Sequence, residues 1–413
     1  MECKMKRTMI LLLSVSFFLV FLACDKDITP SLYNPDATSG PQPAISSIDP
    51  PDFALAGVTI VTITGQNFSP DSEKNFVYFD DQKGQIQSAS ATELKVKPPN
   101  LVGDSVAVKI AVHGAELFSN TVIYKLEYTE FEYGGVDKFT DAYSLACDPQ
   151  NNIYVSSGLR KIVKISPDDP EDNSDYVPVT DGFYQTMCWG PDDYLYAGRT
   201  RFIYRVPPGG GSIDKYGDRL RNPVYDIDFG PNHNLFIAGR NSLMRMKPDG
   251  SVDEVMEYER IILNAIRVYD GYVYVSGEYY GDDPNVMVRG IWRNEITSDD
   301  GAVGPAEAVF DWDAAVGETG PGINDITLDI DGFLYIGAEY DNAIYYLIPQ
   351  GPGDYAGSEL NVLYPNILKP PATAFVWDND IYLYVNRKSD NPDEQKLLRV
   401  TMAKLSAPYY GRQ

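Results

Sequence analysis

Histidine is almost missing from this chain of 413 residues: there are two, His113 and His233. That scarcity argues against a Ser-His-Asp triad, a His-rich zinc centre or a histidine general base. Cysteine is also sparse, at four, which leaves little for a disulfide framework. Basic residues are outnumbered, 34 Lys and Arg against 59 Asp and Glu, for a net charge of −25. A surface of that sign does not bind nucleic acid, whose phosphates need a basic face. No apolar run reaches the roughly 20 residues of a membrane-spanning helix; the longest, Ile10 to Ala23, has 14. What is plentiful is tyrosine, with 30 copies, in a chain that is 44% hydrophobic and 23% charged. That is a globular composition, and the length suggests more than one domain.

Lys4, Lys6 and Arg7 precede the apolar run, which ends in Phe21-Leu22-Ala23-Cys24. A basic start and a short apolar stretch read as an export signal over 1–23. The terminal tetrapeptide resembles a bacterial lipobox, with Phe21 where an aliphatic residue is usual. The resemblance implies lipidation of Cys24 and a membrane attachment through that lipid. Asp25-Lys26-Asp27 then resembles the surface-export signals of Bacteroidetes lipoproteins, which implies an outer-membrane lipoprotein at the cell surface; a periplasm-facing orientation is the alternative. Residues 24–42, rich in Pro, Asn, Ser and Gly, form a polar tether. Cys147 and Cys188 lie in apolar runs and are expected to be buried free thiols.

Residues 43–127 hold short strands and no helical periodicity. Val58 to Thr64 alternates with β-branched residues, and Val77-Tyr-Phe79, Leu94-Lys-Val96, Val106 to Val112 and Val122-Ile-Tyr124 follow. This is an immunoglobulin-like β-sandwich. The opening Pro43-Ala-Ile-Ser-Ser-Ile-Asp-Pro50 and the turn Thr62-Ile-Thr-Gly65-Gln-Asn-Phe68 resemble the IPT/TIG family, whose members are usually spacers or binding modules.

Residues 128–413 repeat. A turn followed by an apolar-aromatic-apolar strand recurs around Tyr154, Tyr196, Phe236, Tyr274, Tyr335 and Tyr384, spaced 42, 40, 38, 61 and 49 residues apart. An apolar strand precedes each turn, a third strand follows, and a fourth follows in five repeats. The sixth lacks its fourth strand, which Glu130-Phe-Glu-Tyr133, ahead of the first repeat, can supply. Closure of that kind defines a ring, so the expected fold is all-β: the sandwich plus a six-bladed β-propeller. The blades resemble NHL-type propellers. The combination of signal, IPT/TIG domain and propeller resembles a Bacteroidetes architecture associated with outer-membrane nutrient uptake, alongside glycan-binding lipoproteins.

Loops joining second to third strands share one mouth of the channel with those joining fourth to first. They carry Arg160, Arg199, Arg201 and Arg240 on blades 1–3, and Glu278, Tyr279, Tyr280, Glu339 and Tyr340 on blades 4 and 5. Arginine forks and tyrosine faces suit hydroxyl-rich or carboxylate ligands; pairing across blades is the alternative. Trp312, in the blade-4 insertion 294–322, either stacks on a sugar or caps its blade. Asp226, Asn264, Asn324 and Asp325 begin first strands near the channel. They could hold a Ca²⁺ ion, or bond inter-blade backbone amides. Trp189 and Trp377 are expected to pack between blades. Asp329-Ile-Asp331-Gly332 mimics the start of an EF-hand loop but reads as a hairpin.

Three functions remain. The first is a non-enzymatic, lipid-anchored binding protein that captures a glycan or docks to subunits of an outer-membrane uptake complex, with no cofactor. The second is a metal-dependent hydrolase or lyase at the channel. The third is an assembly scaffold.

Overall fold

A computed structural model describes residues 38–171 and 173–412. The signal, Cys24 and the tether up to residue 37 lie outside the described residues. The fold is all-β, with a sandwich followed by a six-bladed propeller.

In the sandwich, Ala44–Asp49, Val61–Gln66, Glu93–Lys97 and Gln85–Ala89 form one sheet in that spatial order. Phe53–Leu55, Val122–Glu127, Gly103–Val112, Asn75–Phe79 and Gln82–Lys83 form the other. Alternation decides which side faces in. Val61 and Ile63, Val77 and Phe79, Leu94 and Val96, and Val106, Val108 and Ile110 all point into one core, while Thr64 and Lys95 face water.

The connection to the propeller is two residues, Tyr128 and Thr129, tied on both sides. The Ala56 amide donates to the Glu127 carbonyl at 3.0 Å and Thr129 Oγ1 donates to the Ala56 carbonyl at 2.9 Å. On the far side Thr401 donates to Thr129 and Tyr128 through its amide (2.9 Å) and its hydroxyl (2.8 Å).

Each blade is a four-stranded antiparallel meander. Blade 1 runs Ala142–Cys147, Ile153–Ser157, Lys161–Ile165 and Ser174–Val177; blade 2 runs Thr186–Trp189, Leu195–Arg199, Phe202–Val206 and Asp214–Tyr216. Blade 5 is Ile323–Leu328, Leu334–Ala338, Ile344–Leu347 and Asn361–Val362. Blade 6 takes Ala374–Trp377, Tyr382–Arg387 and Lys396–Thr401 from the end of the chain and Glu130–Glu132 from the start of the domain, with Glu130 opposite Val400. The missing strand is supplied as expected.

Blades 3 and 4 share one six-stranded sheet. Leu235–Met246 runs through the second and third strand positions of blade 3, and Val252–Tyr269, continuous over 18 residues, serves as the outer strand of blade 3 and the inner strand of blade 4. The connecting residues Tyr258-Glu-Arg-Ile-Ile262 contain neither Gly nor Pro to turn the chain. A local kink at Arg260, with φ of 58°, redirects it instead.

Aromatic side chains fill the gaps between blades. Trp189 stacks on Tyr154 (5.0 Å, 28°), and Trp377 meets Tyr335 edge-on at 5.5 Å. Cys147 and Cys188 are free thiols, as expected, and burial raises both.

Candidate functional site

First strands surround the channel, so equivalent positions in six blades form rings. One ring consists of Ser144, Thr186, Asp226, Ala265, Asp325 and Ala374. Its two carboxylates line a central cavity of about 100 Å³, room for several waters. Both carboxylates are engaged. Asp226 Oδ1 accepts from Thr186 Oγ1 of blade 2 (2.6 Å) and its own blade's Ile227 amide (2.9 Å); Oδ2 accepts from the Ile266 amide of blade 4 (2.9 Å). Asp325 accepts from the Ile326 amide (2.7 Å) and, in blade 6, from the Phe375 amide (2.6 Å). Both face the channel yet sit deep inside the domain. Desolvation therefore raises Asp226 to about 7, against the pull of those donors. It also raises Asp325 well above the usual carboxylate range, helped by the nearby Asp226. Asn264 and Asn324 lie at the upper rim of the same cavity. The arrangement matches inter-blade pinning. A hard cation prefers six or more oxygen ligands, and here each carboxylate oxygen already serves a protein donor. Among the described residues no group of three His, Cys, Asp or Glu is placed to hold a metal.

The lower end of the channel is closed by the chain's own C-terminal segment. Arg267 Nη1 donates to Asp228 Oδ2 at 2.7 Å, Nη2 donates to the Ala407 carbonyl at 2.9 Å, and the guanidinium lies 3.4 Å from the Tyr409 ring centre. Arg412 lies 4.0 Å from the same ring centre and donates to the Trp377 carbonyl at 2.7 Å. Gly411 lies so close to the Trp189 carbonyl that a Cβ would overlap it. His233 is on this side, in the turn after blade 3's first strand, far from the open mouth.

At the opposite mouth a cleft of about 830 Å³ opens between blades 4 and 5. It gathers Glu278, Glu339 and Tyr340 from the expected set, with Asn264, Asn324 and Tyr225 on its floor. Its wall is the 312–322 insertion, which Arg289 organises. Arg289 Nε donates to Asp313 Oδ1 at 2.7 Å, and its terminal nitrogens reach the carbonyls of Gly317, Glu318, Gly320 and Pro321 at 2.9–3.1 Å. The Tyr340 hydroxyl donates to the Thr319 and Gly320 carbonyls, 2.6 Å from each. With Arg289 paired to Asp313, the charges left facing the cleft are Glu278, Glu339 and Glu318.

Several expectations are corrected. Trp312 is fully buried: its Nε1 donates to the Pro321 carbonyl at 2.6 Å and its ring meets Tyr345 edge-on at 5.4 Å. It caps the blade and cannot meet a sugar. The four arginines do not converge on the cleft. Arg160 is exposed on the blade-1 rim, and Arg199 lies against Gly182. Arg201 lines a shallow hollow with Arg219 and Phe202 that adjoins the cleft at Tyr225. Arg240 stacks 4.7 Å over Tyr280, whose hydroxyl donates to Asn241 at 2.7 Å. Tyr279 is half-buried, and its hydroxyl accepts the Asp283 amide of its own loop at 3.3 Å. The sequence reading missed Arg289, Asp313 and Glu318. A signal existed in Asp311-Trp-Asp-Ala-Ala315: Asp311 caps a short helix, Trp312–Val316, by accepting the Ala314 amide at 3.0 Å.

Residues 43–127 match the IPT/TIG domain family. No curated protein matches the chain. Among solved structures, an auxiliary nutrient binding protein from Bacteroides thetaiotaomicron is similar over 89% of this chain and 98% of its own, at 14% identity and a TM-score of 0.53. A luciferin-regenerating enzyme is similar over 68% of this chain and 98% of its own, at 15% identity and a TM-score of 0.51. A gluconolactonase from Xanthomonas campestris covers 66% of this chain and 89% of its own, at 13% identity and a TM-score of 0.48. The first alignment is too long for the propeller alone and extends into the sandwich. Likeness at these identities speaks to fold, and one propeller fold serves binding proteins and enzymes alike. The class is therefore an IPT/TIG sandwich joined to a six-bladed β-propeller, with a cleft between blades 4 and 5 at its open mouth.

Proposed function

We propose that the chain is a binding protein of a nutrient-uptake system that captures a hydroxyl-rich ligand, a glycan, in the cleft between blades 4 and 5. The observation that carries this reading is the cleft itself, open on one face of a channel whose other end is closed. Carboxylates and side-chain amides are the groups that hydrogen-bond sugar hydroxyls. Three unpaired glutamates favour neutral or cationic sugars over uronic acids. The auxiliary nutrient binding protein from Bacteroides thetaiotaomicron, similar over both domains, supports a nutrient-binding role. Lipidation at Cys24 would attach the chain to the outer membrane, at the cell surface, with sandwich and tether as spacer. No helix of the described residues is long and apolar enough to cross a membrane. The test is calorimetric titration of the purified chain against a panel of neutral, amino and acidic polysaccharides, with Glu278→Gln/Glu339→Gln as control. Binding of a neutral or amino glycan that the double variant weakens supports the reading; binding of none sinks it.

The second reading is a divalent-cation-dependent hydrolase or lyase acting in the channel. Asp226 and Asp325 line one cavity, which favours it, and their engagement with amides counts against it. Metal analysis of the purified chain decides: a stoichiometric divalent ion lost in Asp226→Asn would favour the enzyme.

A further inference from the structure

The open face carries a second feature, away from the cleft. Phe139, Leu159, Val179 and Phe183 are 69%, 59%, 78% and 39% exposed. They come from three segments of blade 1 that are stitched together. The Gly158 amide donates to the Asp141 carbonyl at 2.9 Å, and Ser157 Oγ donates to the Thr140 carbonyl. The Thr180 amide donates to the Arg160 carbonyl at 2.8 Å, and the Tyr184 amide donates to Ser156 Oγ at 2.8 Å. Phe183 stacks on Tyr143 with ring centres 3.7 Å apart and planes 12° apart. The four apolar side chains therefore belong to one surface, and contiguous apolar surface on a soluble domain marks an interaction site.

The charge around this patch differs from that of the propeller as a whole, where 24 bases face 45 acids. Its lysines are neutralised: Lys138 pairs with Asp393, Lys161 with Asp175 at 2.7 Å and Lys388 with Asp141 at 2.6 Å. Asp137 is occupied by the Phe139 and Thr140 amides. Arg160 and Arg199 have no carboxylate within ion-pair distance among the described residues, and Asp181 and Asp390, the latter in the loop of Lys388 and Asp393, are acids likewise without an ion-pair partner there. Apolar side chains with two unpaired guanidiniums are the composition of an interface centre, where aromatic residues and arginine concentrate.

We propose that the blade-1 rim is a protein-docking surface whose occupant is a partner segment combining apolar side chains with acidic ones. Phe139 and Leu159 would meet the apolar part and Arg160 and Arg199 the carboxylates. The surface is separate from the glycan cleft, and each proposal can fail alone.

A random dodecapeptide library displayed on phage is selected on the purified chain, with counter-selection on Phe139→Ser/Leu159→Ser. Both altered residues are exposed, so the variant should keep its melting temperature, which checks that the propeller is intact. The expected result is a set of patch-dependent peptides that mix Asp or Glu with Leu, Phe or Trp. Arg160→Glu should weaken the best of them about tenfold or more. No patch-dependent peptide, or a set dominated by Lys and Arg, overturns the proposal. So does a concentration-dependent dimer in sedimentation that Phe139→Ser abolishes, because the occupant is then a second copy. Dependence on the apolar residues with indifference to Arg160→Glu overturns the acidic character of the partner.

Discussion

The Tyr154 hydroxyl donates to Asp148 Oδ2 at 2.9 Å, six residues back along the chain, and Tyr335 repeats the bond to Asp329 at 3.0 Å. In both blades the same carboxylate closes the intervening turn. Asp148 Oδ1 accepts the Gln150 and Asn152 amides, and Asp329 Oδ1 accepts those of Asp331 and Phe333, all at 2.8–3.0 Å. The hairpin that mimics a calcium loop is held by this contact. Tyr154→Phe should cost about 1 kcal/mol, because Asp148 keeps its other donors. Asp148→Ala strands buried amides and the phenol together and should cost about 3 kcal/mol or more. Thermal melts of the two variants, ordered in that way, check the assignment.

Arg267 should be more important to the C-terminal plug than to the blade it belongs to. Arg267→Met leaves Asp228 buried without its partner, a loss of about 3–5 kcal/mol in comparable cases. It also removes the bond to Ala407 and the stacking surface for Tyr409. Hydrogen exchange should accelerate at 404–412 in this variant. Asp228→Asn/Arg267→Met should recover stability while leaving the segment loose.

Asp226 predicts a pH dependence. Its carboxyl titrates near 7 in the folded chain and near 3.8 when unfolded, so the folded state binds the proton more tightly. Stability from this group is fully present below about pH 3.8 and is lost as pH rises toward 7. Asp378, raised by burial to about 6, acts in the same direction. Asp226→Asn cannot titrate. The stability of the natural chain relative to Asp226→Asn should therefore grow as pH falls from 7.5 to 4.5 in paired denaturation curves. A constant difference would contradict the raised carboxyl.

Trp312→Ala should destabilise the wall of the cleft, by about 3–5 kcal/mol for a fully buried tryptophan. Tyr340→Phe should spare global stability but release its bonds to Thr319 and Gly320. Glycan affinity should then fall about threefold to tenfold through loosening of the 312–322 loop, read by calorimetry.

The architecture was legible because it rests on short-range pattern. Period-2 apolar runs and one aromatic per repeat locate the strands, and the absent fourth strand after Leu397 to Val400 leaves Glu130 to Tyr133 as its natural replacement. The free thiols and the inter-blade tryptophans followed from the same pattern. The site was harder, because where a loop side chain points depends on contacts distant in sequence. Trp312 lies between two aspartates and could stack on a sugar or cap its blade, and those aspartates serve a helix cap and Arg289. The arginines fall at matching loop positions, but successive blades are rotated about the channel, so matching positions lie apart on its rim. The plug formed by Ala407, Tyr409 and Arg412 follows the last repeat and has no periodicity to announce it.

Closure of blade 6 has a consequence for the order in which the protein is made. Glu130 is synthesised some 270 residues before Val400, its partner across the sheet. Until the last strand exists, the first one has no neighbour, and five blades wait as an arc with two open edges. The same final strand carries Thr401, which anchors Tyr128 and Thr129. Completing the ring and fixing the sandwich upon it are thus one event, and it waits for the last strand of the ring.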